Sequence, residues 1–224
     1  EEERKFLPEG DYHVVIDSEL IDGHLTYGEL VLPGRSEEEI FISTYLCHPS
    51  MANNELSGPV VATFLAKWLM QLPDRRYTIR MVIIPETIGS ITYLSKNLDH
   101  LKENVVAGFN LTCVGDERAY SYLPSRNGGT LADQAVLHVL EHMHPDFIRY
   151  AYADRGSDER QYCSPGVDLP LCLVMRSKFQ TYPEYHTSLD DLELVTPEGL
   201  FGTYEVMQQV ITCIEHTQTL QTTV

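Results

Sequence analysis

Long apolar runs are missing from this 224-residue chain: no stretch reaches the roughly 18 residues needed to cross a bilayer as a helix. Positive charge is scarce as well. Lys and Arg number 16 against 33 Asp and Glu, a formal net charge of −17, and the acidity is spread along the chain. A phosphate-backbone partner needs clustered Lys and Arg, so nucleic acid and membrane are both poor partners. No C-x-x-C pair occurs, and the five cysteines (Cys47, Cys113, Cys163, Cys172, Cys213) are odd in number and widely spaced. That pattern argues against a zinc ribbon or a disulfide framework. Cys47, Cys113 and Cys172 sit in apolar strand-like runs, where buried, reduced thiols are expected. The chain opens without an initiator Met or a signal-peptide core. The expectation is a cytoplasmic protein, and a piece of something longer.

What is present is an ordinary globular composition, 43% hydrophobic and 22% charged, at a length that suits one domain of above-average size. Strand-like runs at 12–17 (YHVVID), 25–32 (LTYGELVL) and 40–46 (IFISTYL) are separated by the turn signals Asp22-Gly23 and Pro33-Gly34. Thereafter the pattern alternates. A helix is expected over 58–71 with Ser57 as its cap, a strand over 77–84, a helix over 90–97 and a strand over 105–114. A helix over 131–143, a strand over 169–175 and a helix over 197–215 follow, with Pro197 in the first turn. Strands alternating with helices predict an α/β fold: a mixed, mostly parallel central sheet with helices on both faces. The apolar runs MVIIP and LCLVM read as its fully buried parallel strands.

In such sheets a ligand sits beyond the carboxyl ends of the strands. The polar residues there are His48 after IFISTYL, Glu86 after MVIIP, and Thr112 to Asp116 after GFNL. Gly156-Ser157-Asp158-Glu159 precedes LCLVM, and Tyr185-His186-Thr187 follows it. Imidazoles and carboxylates on one rim are the raw material of a hydrolytic metal site. Zinc takes His nitrogen and Asp or Glu oxygen and lowers the pKa of its bound water to about 7, and a carboxylate outside the ligand set moves the proton. On that reading His48 and His186 bind metal and Glu86 is the base. A His ending a strand also serves as a plain polar cap.

The segments STYLCHPSMANNELSGP, PETIGSITYLSKN, SYLPSRNGGTLAD, DRGSDERQYCSPGVDLP and PEYHTSLDDLELVTPEG resemble the zinc aminopeptidase superfamily that also contains the glutaminyl cyclases. More narrowly, they resemble the bacterial aminopeptidase-like domain proteins often encoded near polysaccharide-biosynthesis genes. The resemblance implies the zinc-exopeptidase fold, with His48 and His186 as the first and last metal-binding His and Glu86 as general base. It also places Asn54 where the superfamily has its metal-bridging Asp, Thr87 where it has a metal-binding Glu, and Thr112 where it has an Asp ligand. Two zinc ions would then lack the anionic charge that offsets them. One zinc remains, held by His48, Glu55 and His186, with Asn54 and Asp158 as further ligands or ligand-orienting groups and Glu159 and Asp116 in reserve; Asp158 could equally cap a helix. Family chains are about twice as long, which implies that residues 36–224 form the aminopeptidase-like catalytic domain and residues 1–35 an edge hairpin or remnant of an upstream segment.

Arg126, Glu184 and Tyr185 are candidate substrate-binding residues, Arg126 through its bidentate geometry for a carboxylate. His138, Glu141 and His142 spell H-x-x-E-H, a metalloprotease signature, but on a helix expected away from the strand ends. The absence of a G-x-S-x-G elbow argues against a Ser hydrolase. The leading function is a metal-dependent amide hydrolase acting on a small molecule or short peptide with a free amine. A binding protein that kept the fold and lost turnover is the alternative, and a glutaminyl-cyclase-like acyl transfer is the third. The oligomeric state stays open.

Overall fold

The structure, a computed structural model, describes residues 3–48 and 50–218. Its centre is a seven-stranded sheet in the order β1-β3-β2-β4-β7-β5-β6, comprising β1 (Gly28–Leu32), β2 (Glu39–Tyr45), β3 (Thr78–Ile84), β4 (Val105–Leu111), β5 (Ser121–Leu123), β6 (Ile148–Arg149) and β7 (Leu171–Met175). The block β3-β2-β4-β7 is parallel, and β1 and β5 join it antiparallel at either side. Five α-helices cover it: α1 (Ser57–Leu69), α2 (Ile88–Asn104), α3 (Leu131–Met143), α4 (Glu159–Tyr162) and α5 (Pro197–His216). The mixed, mostly parallel α/β sheet expected from the sequence is therefore observed.

Strand periodicity sorts the core into two layers. Ile40, Ile42, Ile79, Met81, Phe109, Cys172 and Val174 face one way and pack under α1, α3 and α5. Phe41, Val82, Ile84, Leu171, Leu173 and Met175 face the other way, against Tyr93, Leu94 and Leu101 of α2 and Tyr162 of α4. With both faces covered, β2 and β7 are buried along their whole length, which is why those runs read as continuously apolar.

The sequence expectations need correction at several places. Residues 12–17 form no strand, so no edge hairpin exists among the described residues; β1 pairs with β3 across the chain instead. The side chains of that stretch face no partner: Val14, Val15 and Ile16 are each more than 70% exposed, and a strand without a ladder has nothing to satisfy its backbone. Ser57 does not cap α1 from outside. A π-turn at Ala52–Leu56 runs directly into the helix, and Ser57 is already helical. Its hydroxyl donates to the Asn53 carbonyl (2.5 Å) and accepts from the Val114 amide (3.0 Å). Cys47 is exposed rather than buried, while Cys113 and Cys172 are buried as expected. The short elements β5, β6 and α4 carry too few residues to show a period.

Edge strand β1 is locked by charge. Arg80 on β3 donates to both Glu39 oxygens (2.7 and 2.8 Å) and to Glu29 of β1 (2.6 Å). Burial pushes the Glu39 carboxyl up, but the hydrogen bonds from Arg80 and His100 outweigh it and hold it below its ordinary value of 4.5. A lowered carboxyl contributes stability above that value and loses it as the pH falls through the folded value. Arg80→Met should therefore cost about 3 kcal/mol at pH 7, by stranding the buried Glu39 charge. In urea unfolding the difference from wild type should shrink once the pH drops below 4.5. At the other end of the site, α5 enters so close to the loop after β4 that a Cβ on Gly199 would lie 2.0 Å from the Gly115 carbonyl oxygen. Gly199→Ala should destabilise by about 3 kcal/mol, measured the same way.

Candidate functional site

The carboxyl ends of β2, β3 and β4 bring three loops together. Past Tyr45, Cys47 and His48 lead into the π-turn; past Ile84, Glu86 and Thr87 lead into α2; past Leu111 come Thr112 and Cys113. A fourth segment, Tyr182 to Asp190, is laid over them by a carboxylate. Asp190 is buried and accepts the Asn53 and Asn54 amides (2.6 and 3.1 Å), and its own carbonyl accepts the Ala52 amide (2.9 Å). This grip sets His186 beside His48, with ring centroids 4.4 Å apart. Tyr185 stacks on His186 at 3.9 Å and meets Tyr182 edge-on.

Each imidazole has a defined partner. His48 Nδ1 lies 2.8 Å from Glu55 Oε1, and the other Glu55 oxygen accepts the Cys47 amide. Glu55 is almost fully buried, at 1% exposure, and both its oxygens are in use. It orients His48 and leaves Nε2 as the free ring nitrogen. His186 Nε2 lies 3.1 Å from Asn54 Oδ1. Burial and the nearby His48 lower the His186 pKa against the opposing pull of Asp190, which favours its neutral form.

Below the imidazoles runs a neutral chain of hydrogen bonds. Asn54 Nδ2 donates to the Tyr45 hydroxyl (3.0 Å) and to Cys113 Sγ (3.6 Å), Tyr45 and Thr112 share a 2.5 Å bond, and Tyr182 reaches Cys113 Sγ at 3.5 Å. Burial pushes the Cys113 thiol up to about 11, so it carries no charge either. Glu86 stands apart from this chain. Burial raises its carboxyl above the ordinary 4.5 and Glu55 adds to the rise, against a hydrogen bond from Ser157 and the charges of Arg160 and His48. Asp158 is fully buried. Its Oδ1 accepts the Thr87 amide (2.8 Å) and the Ser90 hydroxyl (2.9 Å), while Oδ2 has no protein partner. Burial pushes Asp158 up to about 7.

The structure thus brings His48, Asn54, Glu55, Glu86, Asp158, Tyr185 and His186 to one rim, and leaves other candidates elsewhere. Asp116 is spent on Asn53, Ser177 and Arg118, and Glu159 on the Gly156 and Ser157 amides. Arg126 pairs with Asp168 at 2.7 Å and Glu184 with Arg118 through both oxygens, so neither is a free substrate anchor. His138 and His142 lie on α3, where Glu141 pairs with Arg149. Asp190, which holds the site together, was legible only as the last residue of H-T-x-x-D, with no role attached. An apolar groove of about 410 Å³ between α1 and α5, lined by Val60, Phe64, Leu200 and Phe201, includes none of the rim residues.

Zinc does not fit these residues as they stand. Catalytic zinc takes three protein ligands and an open position. Glu55, the expected third ligand, is consumed by His48 and the Cys47 amide, and the other group facing His186 is a neutral amide oxygen. Among the described residues no group of three or more His, Cys, Asp or Glu is arranged to hold a metal.

Residues 8–217 match the family described as a domain of unknown function, DUF4910. A Clostridium acetobutylicum protein, provisionally assigned to polysaccharide biosynthesis with an aminopeptidase-like domain, is 45% identical over 213 residues, 95% of this chain and 48% of that protein. This chain therefore spans about half the length of the curated relative it matches. A solved structure from the same organism, provisionally assigned as a peptidase, superposes with a TM-score of 0.82 at 42% identity, covering 86% of this chain and 45% of that one. A zinc aminopeptidase from Bacillus subtilis gives 0.69 at 19% identity (86% and 50% covered), and the glutaminyl cyclase of Porphyromonas gingivalis 0.67 at 13% (84% and 77%). The chain belongs to the DUF4910 family, built on the fold shared by zinc aminopeptidases and glutaminyl cyclases.

Proposed function

We propose that this domain carries out aminopeptidase-like acid–base chemistry on an amide whose substrate bears a free amine, with Glu86 as general base. The supporting observation is the meeting of Glu86, its carboxyl raised by burial, with His48 and His186 at the carboxyl edge of the sheet. Glu86 takes a proton from the attacking water and returns it to the leaving amine. His48, with its Nδ1–H committed to the Glu55 carboxylate, presents Nε2 as a hydrogen-bond acceptor towards the substrate's ammonium group. Glu55, Glu86 and Asp158 act together on the Cys47 thiol, and the same negative field would draw in an ammonium group. Tyr185, stacked on His186, forms an apolar wall beside it. No step runs through zinc. All five cysteines are unpaired, which supports a reducing, cytoplasmic setting, and no described helix is long and apolar enough to cross a membrane.

A second reading, a binding protein without turnover, is favoured by one observation: Asn54 and Thr112 stand in a satisfied neutral network where the superfamily resemblance puts acidic ligands. Glutaminyl-cyclase-like acyl transfer stays the third.

Release of a chromophore from an aminoacyl substrate is the measurement that separates them. Turnover is expected in the wild type, with a loss of about 10²- to 10⁴-fold in Glu86→Gln. Because the base works deprotonated, kcat/KM should rise with pH through a midpoint above the ordinary carboxyl value of 4.5, and Glu86→Gln should lack that rise. Thermal stabilisation by an amino-acid amide without any release would favour the binding protein, and ammonia release from an N-terminal Gln peptide the cyclase. Metal content by plasma mass spectrometry, on protein purified without chelator, should fall well below one zinc per chain. About one zinc, lost in the His48→Ala, His186→Ala double variant, would overturn the reading that these residues do not fit zinc.

A further inference from the structure

Glu86 leaves β3 through a strained turn. Thr87 has φ 62° and ψ −66°, and the Ile88 amide donates to the Glu86 carbonyl at 2.7 Å. Together these define a γ-turn of the rare positive-φ kind, which is disfavoured for any residue but glycine and most of all for a β-branched one. Nothing in Thr87 itself selects this conformation. The next residues merely permit it: a Cβ on Gly89 would lie 2.9 Å from Ile84 Cβ and from Pro85 Cδ, so only glycine lets the turn close this tightly on the strand.

The force holding the turn comes from 70 residues further along the chain. Asp158 immediately precedes α4 but makes no capping bond to it. Its Oδ1 instead receives the Thr87 amide and the Ser90 hydroxyl, and Ser90 bonds back to the Thr87 carbonyl at 3.0 Å. Arg160, on the same short helix, donates to Thr87 Oγ1 at 3.2 Å. Amide and hydroxyl of Thr87 are thus held from the Asp158 side, and its carbonyl by Ser90 and the Ile91 amide of its own helix. A strained residue persists where its surroundings over-determine it, and here they do so immediately after Glu86. Asp158 Oδ2 is buried without a protein partner, so the hydrogen bonds this carboxyl makes are those of Oδ1 to the Thr87 amide and Ser90.

We propose that Asp158 is the positioning residue for Glu86: its buried carboxyl clamps the strained Glu86-Thr87-Ile88 turn and thereby fixes the direction in which Glu86 leaves the sheet. The functional consequence rests on the reading of Glu86 as general base, whereas the clamp itself does not.

Three variants test it. Asp158→Ala removes the acceptor, Asp158→Asn keeps an oxygen for the Thr87 amide and Ser90, and Thr87→Gly lets the turn form without a clamp, because glycine adopts positive φ freely. In Asp158→Ala the Thr87 amide should exchange with solvent about tenfold faster or more. The Glu86 carboxyl, followed by ¹³C NMR titration, should move down towards its ordinary value, and kcat should fall by about 10- to 100-fold with KM little changed. Asp158→Asn should restore exchange, titration and kcat most of the way. Thr87→Gly placed in the Asp158→Ala background should restore titration and kcat but leave the residue-87 amide, now without its acceptor, exchanging fast; it also covers the case in which the alanine variant alone does not fold. Unchanged Thr87 exchange and Glu86 titration in folded Asp158→Ala would overturn the proposal whatever the activity. So would failure of Thr87→Gly to rescue the Glu86 titration. If the NMR signals shift as expected but wild type and variants alike show no turnover, the clamp stands and the catalytic reading of Glu86 falls.

Discussion

The site depends first on one buried carboxylate meeting one set of backbone amides. Asp190 receives the Asn53 and Asn54 amides, the unsatisfied donors at the start of the π-turn that feeds α1. A helix entry of this kind carries free N–H groups and partial positive charge, so a carboxylate is its natural partner. Burial raises the Asp190 carboxyl while those amides pull it down. The contact closes a loop of more than 130 residues, and His186 approaches His48 only because of it. Elsewhere the segment from Tyr182 to Asp190 is held by the Arg118–Glu184 pair, the His186–Asn54 contact and the Tyr182–Cys113 contact, none of which reaches the backbone of the π-turn.

Electrostatics explains why the interior beneath that contact is neutral. Carboxylates crowded at the ends of three parallel strands repel one another and resist burial unless cations compensate them. Asn54, Tyr45, Thr112 and Cys113 replace that arrangement with groups that satisfy each other directly, so the fold needs no ion to hold these strand ends together. The carboxylates that remain have separate duties. Glu55 orients His48, Asp190 grips the π-turn, Asp158 holds the turn after β3, and Glu86 alone has no backbone to anchor.

How much of this the sequence shows depends on the range of the interaction. Parallel strands buried on both faces are legible from IFISTYL, MVIIP and LCLVM because every position faces a core, and His48, Glu86 and His186 follow from where those runs and their loops end. The direction of Glu55 is not legible: it lies in a π-turn, a register that neither a helical nor a strand period anticipates, and its two partners are fixed only by how that turn folds back on Cys47. The stretch 12–17 misleads for the opposite reason. Its residues have strand propensity, but propensity is a weak prior without a facing strand, and β1 takes β3 as its partner. Asp190 and Asp158 are invisible as anchors because each acts on backbone far away in the chain, and no local pattern encodes an acceptor for someone else's amide.

Three non-glycine residues with positive φ border the rim: Thr87, Cys113 and His186. Each immediately follows or carries a group of the site, and each is held by contacts from another segment. Asp158 and Arg160 hold Thr87. Asn54, Tyr182 and the Arg176 amide, which donates to the Cys113 carbonyl, hold Cys113. Asn54 and the Tyr185 ring hold His186. Single strained residues arise by accident in loops, but three on one rim, each over-determined from a different direction, mean that the packed fold imposes the side-chain directions there. Asn54 touches two of the three, which makes it the mechanical centre of the rim. Its amide ties the end of β2, through Tyr45, to Cys113 in the loop after β4 and to the late histidine, so one neutral side chain joins three segments of the rim.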